Sequence, residues 1–502
     1  MLTFLLQYGC FYKKNVFLSS KIKHYIIMKK IPFILLICAF ALFGCKKVSY
    51  TIVCESSNEE WGTVTGGGEY RENATAILTA VPAEGYYFLG WQDGDVSNPR
   101  TVIVTEDATY IALFGDTPFG VFNGEPMHPS GKICNDQVWP DLGLDVDYII
   151  DGTLYIGCNA TVKVMPGVTI MFTGEDGNIE VIENGALNMT GTRDAFIVLC
   201  GPRTQQYPGS WGRVVVNTSR LDNKFSWVEF RNGGSNEDLH GGVVNVRGTL
   251  SMDYCLIDGS NGSGLVTEEG SEMPVFTNNE IQNCLSYPWV TSNFAVLCKG
   301  EVRNNAMSSQ SMPNKVYIDQ DYYEINDSLT LSGLVLAWYY FPHGFYFDGN
   351  GSLTLDEANI YIGAGKQLRV GKNLLFKAIG ATTEPYFAAL STGTPWGGMI
   401  FESERPDNII HRYKFYVCGN GPDNSGNAFC LKIAENAKLK LYTCRFGSST
   451  KYGVWIENVE TWGNVTQSSN TNFYCPTFVH IEHGGTYNGH TYADNTDLDH
   501  LP

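Results

Sequence analysis

An internal duplication restricts how this chain can fold more than any other feature. The stretch from Trp211 to Glu268 recurs from Trp396 to Glu457. At an offset of 185, the residues of the first copy that match the second are Trp211, Gly212, Arg220, Asp222, Asn223, Phe230 and Gly234. At an offset of 189, the matching residues are Leu250, Cys255, Ser260, Gly264 and Glu268. The change of offset falls between Ser235 and Thr249, a polar, Gly-rich stretch where an insertion costs little. A long repeat without a helical period indicates a stacked or duplicated β architecture.

Short apolar runs with Gly, Asn, Asp or Pro between them begin at about Gly131, and no amphipathic helix of convincing length interrupts them. They predict strands at Tyr148–Ile150, Thr153–Ile156, Thr161–Val164, Thr169–Phe172, Ile179–Ile182, Ala186–Met189 and Phe196–Leu199. Chains of this kind coil their strands into a stack in which each turn buries the apolar face of its neighbour.

Three elements of this region resemble right-handed parallel β-helix proteins of the pectate-lyase-like class. They are Ala160–Ile170, Gly185–Thr192 and Ser210-Trp211-Gly212. The resemblance covers roughly residues 132–300 and, more weakly, 314–485, and it implies both the fold and its handedness. The predicted fold class is therefore all-β, a small β-grasp-like N-terminal module followed by a right-handed parallel β-helix. The duplication favours two stacks, residues 131–313 and 314–495, bridged by 301–330, but one continuous helix stays open.

Residues 50–115 form a separate module, in which alternating strands are predicted at Ala76–Ala80, Tyr86–Trp91, Thr101–Val104 and Thr109–Phe114. The stretches Gly62-Thr63-Val64, Gly66-Gly67-Gly68, Gly85-Tyr86 and Gly90-Trp91 resemble the divergent InlB B-type repeat of bacterial surface proteins. The resemblance implies a spacer or adhesive stalk without catalytic residues. Residues 116–130 are rich in Gly and Pro and are interpreted as a linker.

The N-terminus is interpreted as a targeting segment. Met28-Lys29-Lys30 precedes the apolar run Ile31–Phe43, which is too short for a comfortable membrane span. The following Gly44-Cys45 completes a stretch that resembles the lipobox of bacterial lipoproteins, which implies cleavage before Cys45 and lipid on its sulfur. Residues 1–44 are therefore expected to be a signal peptide with its true start near Met28, and 45–49 a tether. The expected location is the outer membrane, facing either the surface or the periplasm.

Charge and cysteine content exclude some classes of partner. From Cys45 onward the chain has 28 basic and 52 acidic residues, a net charge of −24, which disfavours nucleic acid and anionic lipid headgroups. Eleven of the 14 Cys lie beyond Cys45 and none forms a CxxC pair, so no structural zinc is expected. In strand patterns such as that of Cys255, a small buried hydrophobe is favoured over a disulfide.

Candidate catalytic groups are few, and no cofactor is expected. Strand alternation places Glu229 and Arg231 side by side outside Val228 and Phe230, as a weak acid–base candidate, although a structural salt bridge between turns is favoured. The stretch His480-Ile481-Glu482-His483 has metal-ligating residue types, but its spacing is not that of the helical HExxH motif, and no metal site is predicted.

An aromatic cluster is the strongest candidate binding surface. Trp338, Tyr339, Tyr340 and Tyr346 lie within the cluster that surrounds His343, and exposed rings of this kind stack on sugars. Burial between the two stacks is the competing interpretation, and it is favoured over binding. The few nearby charges favour a neutral sugar. Two functions follow: a non-enzymatic envelope lipoprotein for adhesion or glycan binding, which is favoured, or a β-helical polysaccharide lyase or glycoside hydrolase.

Overall fold

The computed structural model describes residues 48–93, 95, 97–116, 124–204, 206–235, 239–309, 314–334, 337–391, 393–419 and 428–500. Cys45 and the N-terminal segment lie outside these residues. Within them the chain is almost entirely strands and turns, and the two 3-10 helices, Phe294–Leu297 and Val459–Asn464, are short. No helix in this described part is long and apolar enough to cross a membrane.

The N-terminal module contains seven strands in two sheets. Their bounds are Ser49–Ser56, Gly62–Thr65, Gly68–Arg71, Thr75–Pro82, Tyr87–Trp91, Arg100–Ile103 and Ala108–Gly115. The strand Ser49–Ser56 pairs antiparallel with Gly68–Arg71 and parallel with Ala108–Gly115. Alternation in Thr75–Pro82 buries Ala76, Leu78 and Ala80, as the sequence pattern predicts.

The remaining strands form a parallel β-solenoid of about 13 turns. One sheet, here called the long sheet, runs through its whole length with 14 strands. These are Lys132–Ile133, Thr153–Ile156, Asn178–Val181, Val214–Val216, Val244–Val246, Leu265–Thr267, Trp289–Thr291, Lys315–Ile318, Trp338–Phe341, Ile360–Ile362, Tyr386–Ala389, Lys414–Tyr416, Arg445–Gly447 and Thr471–Phe473.

Two further sheets complete the first half of the solenoid, each with seven strands. Sheet B contains Gln137–Trp139, Thr161–Val164, Ala186–Thr190, Lys224–Ser226, Ser251–Asp253, Val275–Thr277 and Glu301–Arg303. Sheet C contains Tyr148–Ile150, Thr169–Phe172, Ile197–Cys200, Val228–Gly233, Leu256–Ser260, Glu280–Cys284 and Ala306–Ser309.

Two different sheets complete the second half. Sheet D has eight strands: Tyr322–Glu324, Phe345–Asp348, Leu368–Val370, Met399–Phe401, Phe429–Ile433, Tyr452–Asn458, Thr477–His483 and the antiparallel Thr496–Leu498. Sheet E has six: Ser328–Ser332, Ser352–Asp356, Leu375–Ile379, Ile409–His411, Leu439–Tyr442 and Val465–Ser468. A hairpin of Gly485–Tyr487 and His490–Tyr492 lies near the C-terminus.

The two copies of the repeat are rotated by one face relative to each other. The strand after Trp211, Val214–Val216, lies in the long sheet, whereas the strand after Trp396, Met399–Phe401, lies in sheet D. Likewise Phe230 lies in sheet C and its counterpart in the long sheet. The halves are thus continuous along one face and separate along the other two. Residues 301–330, predicted to be a bridge, instead contain strands that belong to the turns on either side of this joint.

The residues that recur in the repeat make the same contacts in both copies. Trp211 Nε1 donates to the carbonyl oxygen of Arg231 at 2.7 Å, and Trp396 Nε1 donates to that of Tyr416 at 2.9 Å. Both indoles are fully buried. Arg220 donates to the backbone carbonyls of Asn159 and Asn184 on earlier turns. Arg405 donates in the same way to those of Asn350 and Asn373. The repeated motif therefore holds the turns together.

Inward side chains fill a single apolar core along the solenoid. Phe230 and Phe415 are both fully buried at equivalent positions. Most solenoid cysteines are buried free thiols, among them Cys255 and Cys444, as the strand pattern predicts. One pair, Cys134 and Cys158, forms a disulfide.

Candidate functional site

The acid–base candidates of the first half bind each other. Glu229 and Arg231 point outward from sheet C and alternate with the fully buried Val228 and Phe230. Arg231 Nη2 lies 2.6 Å from Glu229 Oε2, and this hydrogen bond raises the pKa of Arg231. The ion pair lies within one strand rather than between turns, and each group neutralises the other.

The aromatic cluster from Trp338 to Phe347 is divided between the interior and two outer faces. Tyr339, proposed from sequence as a glycan contact, is only 1% exposed, and its hydroxyl donates to the carbonyl of Ser332 at 2.7 Å. Tyr339 is thus an interior residue, because the strand alternation turns it inward. Trp338 and Tyr340 face outward from the long sheet. Tyr346 faces outward from sheet D, where its ring lies 5.7 Å from that of Tyr322. Tyr346 therefore lies on a different face of the solenoid from Trp338 and Tyr340.

Half-buried rings follow one another along the outer surface of the long sheet. We call this surface the aromatic face and define it by Tyr317, Trp338, Tyr340, Tyr361, Tyr386 and Tyr416. Tyr317, Tyr340 and Tyr361 are in register on three successive turns, with Ala388 and Tyr416 following. Ring centroids are 5.7 Å apart for Tyr317–Tyr340, 5.3 Å for Trp338–Tyr361 and 5.9 Å for Tyr386–Tyr416.

Lysine side chains lie over these rings. Lys315 Nζ is 5.6 Å from the ring centroid of Tyr340 and 5.3 Å from that of Tyr361, within the range of a cation–π contact. Lys315 is 3% exposed, and burial lowers its pKa to about 8. Further along, Lys414 lies 5.1 Å from the Tyr386 ring and also 2.7 Å from the carboxylate of Glu384. These lysines were not identified from the sequence.

Two histidines meet one carboxylate at the other edge of the aromatic face. Asp319 follows the strand Lys315–Ile318, and its carboxylate accepts hydrogen bonds from two imidazoles. Its Oδ2 lies 3.0 Å from His240 Nε2 and its Oδ1 lies 3.1 Å from His343 Nε2. His240 belongs to the stretch where the offset between the copies changes. This loop of the first copy therefore reaches the second half and borders the aromatic face.

A cleft of about 620 Å³ lies at the joint between the two halves. Its lining combines the turn after Leu265–Thr267, the 3-10 helix Phe294–Leu297, and the beginning of sheet D. Glu269, Glu272 and Lys299 contribute charge, and Tyr323 contributes an aromatic side chain. The residues lining this cleft are not those of the aromatic cluster from Trp338 to Phe347.

The residues of the C-terminal stretch His480–His483 contact neighbouring side chains of the protein. His480 is buried, its Nδ1 lies 2.7 Å from Asp497, and its ring stacks on Tyr452 with centroids 4.3 Å apart. Glu482 accepts from Trp455 Nε1 at 3.0 Å and pairs with Lys432 at 3.3 Å. Across the described ranges, no group of three or more His, Cys, Asp or Glu side chains is placed to hold a metal ion.

Together these features define a class: a parallel β-solenoid protein with a small N-terminal β module and a row of rings along its one continuous sheet. Residues 52–118 match the family model of the Divergent InlB B-repeat domain, which agrees with the resemblance seen in the sequence. A search of curated proteins found no significant match, and a search of solved structures found none either.

Proposed function

We propose that this protein is a cell-envelope lipoprotein whose solenoid binds a glycan chain along the aromatic face. The observation that carries the proposal is the register of the rings on the long sheet. Tyr317, Tyr340 and Tyr361 occupy the same outward position on consecutive turns. Neighbouring strands lie ~4.7–4.9 Å apart, comparable to the length of one sugar unit in a chain. Successive rings can therefore contact successive sugars.

The physical state of the rings also suits binding. They are half-buried, and ring–ring and lysine–ring contacts restrict their rotation. A surface that is already ordered loses little conformational entropy when a ligand binds. Tyr and Trp combine a flat apolar surface with a polar group, which matches the alternating apolar faces and hydroxyls of a sugar.

The remaining parts of the chain agree with a surface or binding protein. The InlB-type module and the β-helical fold are both consistent with such a role. We infer a right-handed, pectate-lyase-like helix from the sequence resemblance, with the N-terminal module as a spacer between it and a lipid anchor on Cys45. Adhesion to a polysaccharide or to a host or other cell-surface glycan follows as the expected activity, at either face of the outer membrane.

Removing one outward ring tests the proposal. We expect Tyr340→Ala and Trp338→Ala to weaken binding in a pull-down with insoluble polysaccharide, at least roughly fivefold, since one well-placed aromatic contact contributes about 1 kcal/mol. Their folding should be nearly intact, because both residues lie on the outer surface. Tyr254→Ala is the matched control, since Tyr254 stacks on Trp227 away from the long sheet. Stable variants of Tyr340 and Trp338 that bind as tightly as the wild type would contradict the proposal.

The same samples separate binding from catalysis. A reducing-end assay on each polysaccharide that is bound should detect no release of new ends. Turnover would instead favour the alternative, a β-helical polysaccharide lyase or glycoside hydrolase.

Anchoring is tested at Cys45. We expect Cys45→Ala to release the protein from the membrane fraction in soluble form, because the thiol that carries the lipid would be absent. Labelling cells with a fatty-acid analogue measures the modification directly, and Cys54→Ala, which changes a cysteine of the module, is the control that should keep the label. An unlabelled wild-type protein would disprove lipidation.

A further inference from the structure

Lys315 is a nearly buried cation that lacks a carboxylate partner. Val316 and Ile318 point into the core, so strand alternation places the Lys315 side chain on the outer side of the long sheet. Among the described residues it has no ion pair or side-chain hydrogen bond, only its contacts with Tyr340 and Tyr361. Burying an unpaired charge is costly. Such a group, when it lies within a binding surface, is a functional candidate.

The other cations in the same row differ from Lys315. Lys414 lies 2.7 Å from Glu384, and Arg445 lies 2.9 Å from the same carboxylate. Lys414 and Arg445 are paired in register on adjacent turns. Their charges are therefore balanced within the protein, whereas the charge of Lys315 is left for an external group to balance.

We propose that Lys315 makes the aromatic face selective for a glycan that carries isolated carboxylates on a neutral chain. This inference rests on the proposed function of the aromatic face and names the class of its ligand. A sugar that lies on Tyr340 and Tyr361 places a pendant carboxylate beside the ammonium group, which then forms a charge-assisted hydrogen bond. The sequence alone favoured a neutral sugar, because it did not reveal this lysine.

A chain with a carboxylate on every sugar fits less well. The protein carries a net charge of −24 from Cys45 onward, which repels a dense polyanion. Further along the aromatic face, Lys414 and Arg445 are already paired with the carboxylate of Glu384. One ammonium can balance one carboxylate, so a polyuronate would bring further carboxylates without partners.

The binding experiment compares glucuronoxylan, its carboxyl-reduced form and polygalacturonate by isothermal titration calorimetry with the full chain. We expect the wild type to bind glucuronoxylan roughly tenfold more tightly than the carboxyl-reduced polymer, the contribution of one hydrogen bond to a charged group. Polygalacturonate should bind more weakly than glucuronoxylan. Lys315→Met retains the aliphatic stem and should abolish the tenfold preference while still binding the reduced polymer. Lys432→Met is the matched control and should keep the preference, because Lys432 lies over Trp455 in sheet D and pairs with Glu482, away from the aromatic face.

The wild-type pH profile gives an independent readout if Lys315→Met does not fold. A carboxylate binds the protonated amine, so the preference for glucuronoxylan should be present below about pH 8 and fall as the pH rises through the pKa of about 8. The titratable groups that face the amine are the phenols of Tyr340 and Tyr361, whose pKa values burial raises. They stay neutral across this window.

Each outcome decides between the two proposals. Equal binding of glucuronoxylan and its reduced form, or a preference that is constant from pH 6.5 to 9.5, overturns the role of Lys315 and leaves glycan binding in place. Binding of neither polymer, together with no binding across a panel of insoluble polysaccharides, overturns the proposed function itself. A preference that Lys315→Met retains assigns the selectivity to another residue and also overturns the inference.

Discussion

Phe230→Ala is expected to lower the free energy of unfolding by roughly 3–5 kcal/mol, the usual cost of removing a buried aromatic side chain. The ring is fully buried within the first-half core, and its centroid lies 5.9 Å from that of Phe225. Neighbouring turns hold the backbone on both sides through parallel pairing with Ile197–Cys200 and Leu256–Ser260. The cavity cannot collapse easily, so the loss should fall well within this range. Denaturant titration measures it.

Glu229→Ala in the same strand is the matched control. Its carboxylate lies at the surface and binds Arg231, so the expected loss is within about 1 kcal/mol, as for other exposed ion pairs. Equal losses for the two variants would show that the register of this strand is shifted by one residue, because such a shift exchanges the inward and outward sides.

The fold follows from the sequence because its main determinants are local. Short alternating runs bounded by Gly and Asn specify strands, and the turns need residues that tolerate a left-handed backbone, such as Asn184 with φ 59° and Asn304 with φ 58°. The repeat also identifies residues that act across turns. Trp211 and Trp396 recur because each donates the same hydrogen bond to the backbone of the following turn.

The rotation between the copies does not follow from the sequence. It depends on how many strands the chain forms between the last turn of one copy and the first of the next, and residues 301–330 lack a pattern strong enough to count them. The structure shows that this stretch contributes strands to the long sheet and to each of sheets B to E. The number of strands in this stretch, and not any single residue, determines that positions of the first copy in sheet C correspond to positions of the second copy in the long sheet.

The candidate site was only partly predictable for a related reason. Trp338, Tyr339, Tyr340 and Phe341 are all aromatic, so hydrophobicity does not indicate which of them point inward. The register with neighbouring turns settles it, since Tyr339 pairs with Ile360 in the interior and Tyr340 with Tyr361 outside. Lys315 was missed because a single lysine within a strand has no signal of its own. Its meaning comes from rings that are 25 and 46 residues away in sequence.

The joint between the halves is where stability and architecture are most closely linked. Sheets B and C end there and sheets D and E begin, so among the strands that the structure describes only those of the long sheet cross the joint with continuous pairing. Phe294, in the 3-10 helix of the first half, is fully buried. Its ring contacts four rings of the second half, with centroids 5.1–6.3 Å away: Tyr323, Phe341, Phe345 and Phe347.

Phe294→Ala is therefore expected to uncouple the halves as well as to destabilise the chain. The loss of unfolding free energy should again be roughly 3–5 kcal/mol. Stacked repeats are stabilised mainly by contacts with their nearest neighbours. A weakened interface at the joint should therefore divide a single calorimetric transition into two. Phe230→Ala is the control of equal size, because it lies inside one half and should lower the transition temperature without dividing the transition. A single transition in Phe294→Ala would show that the long sheet alone is enough to couple the halves.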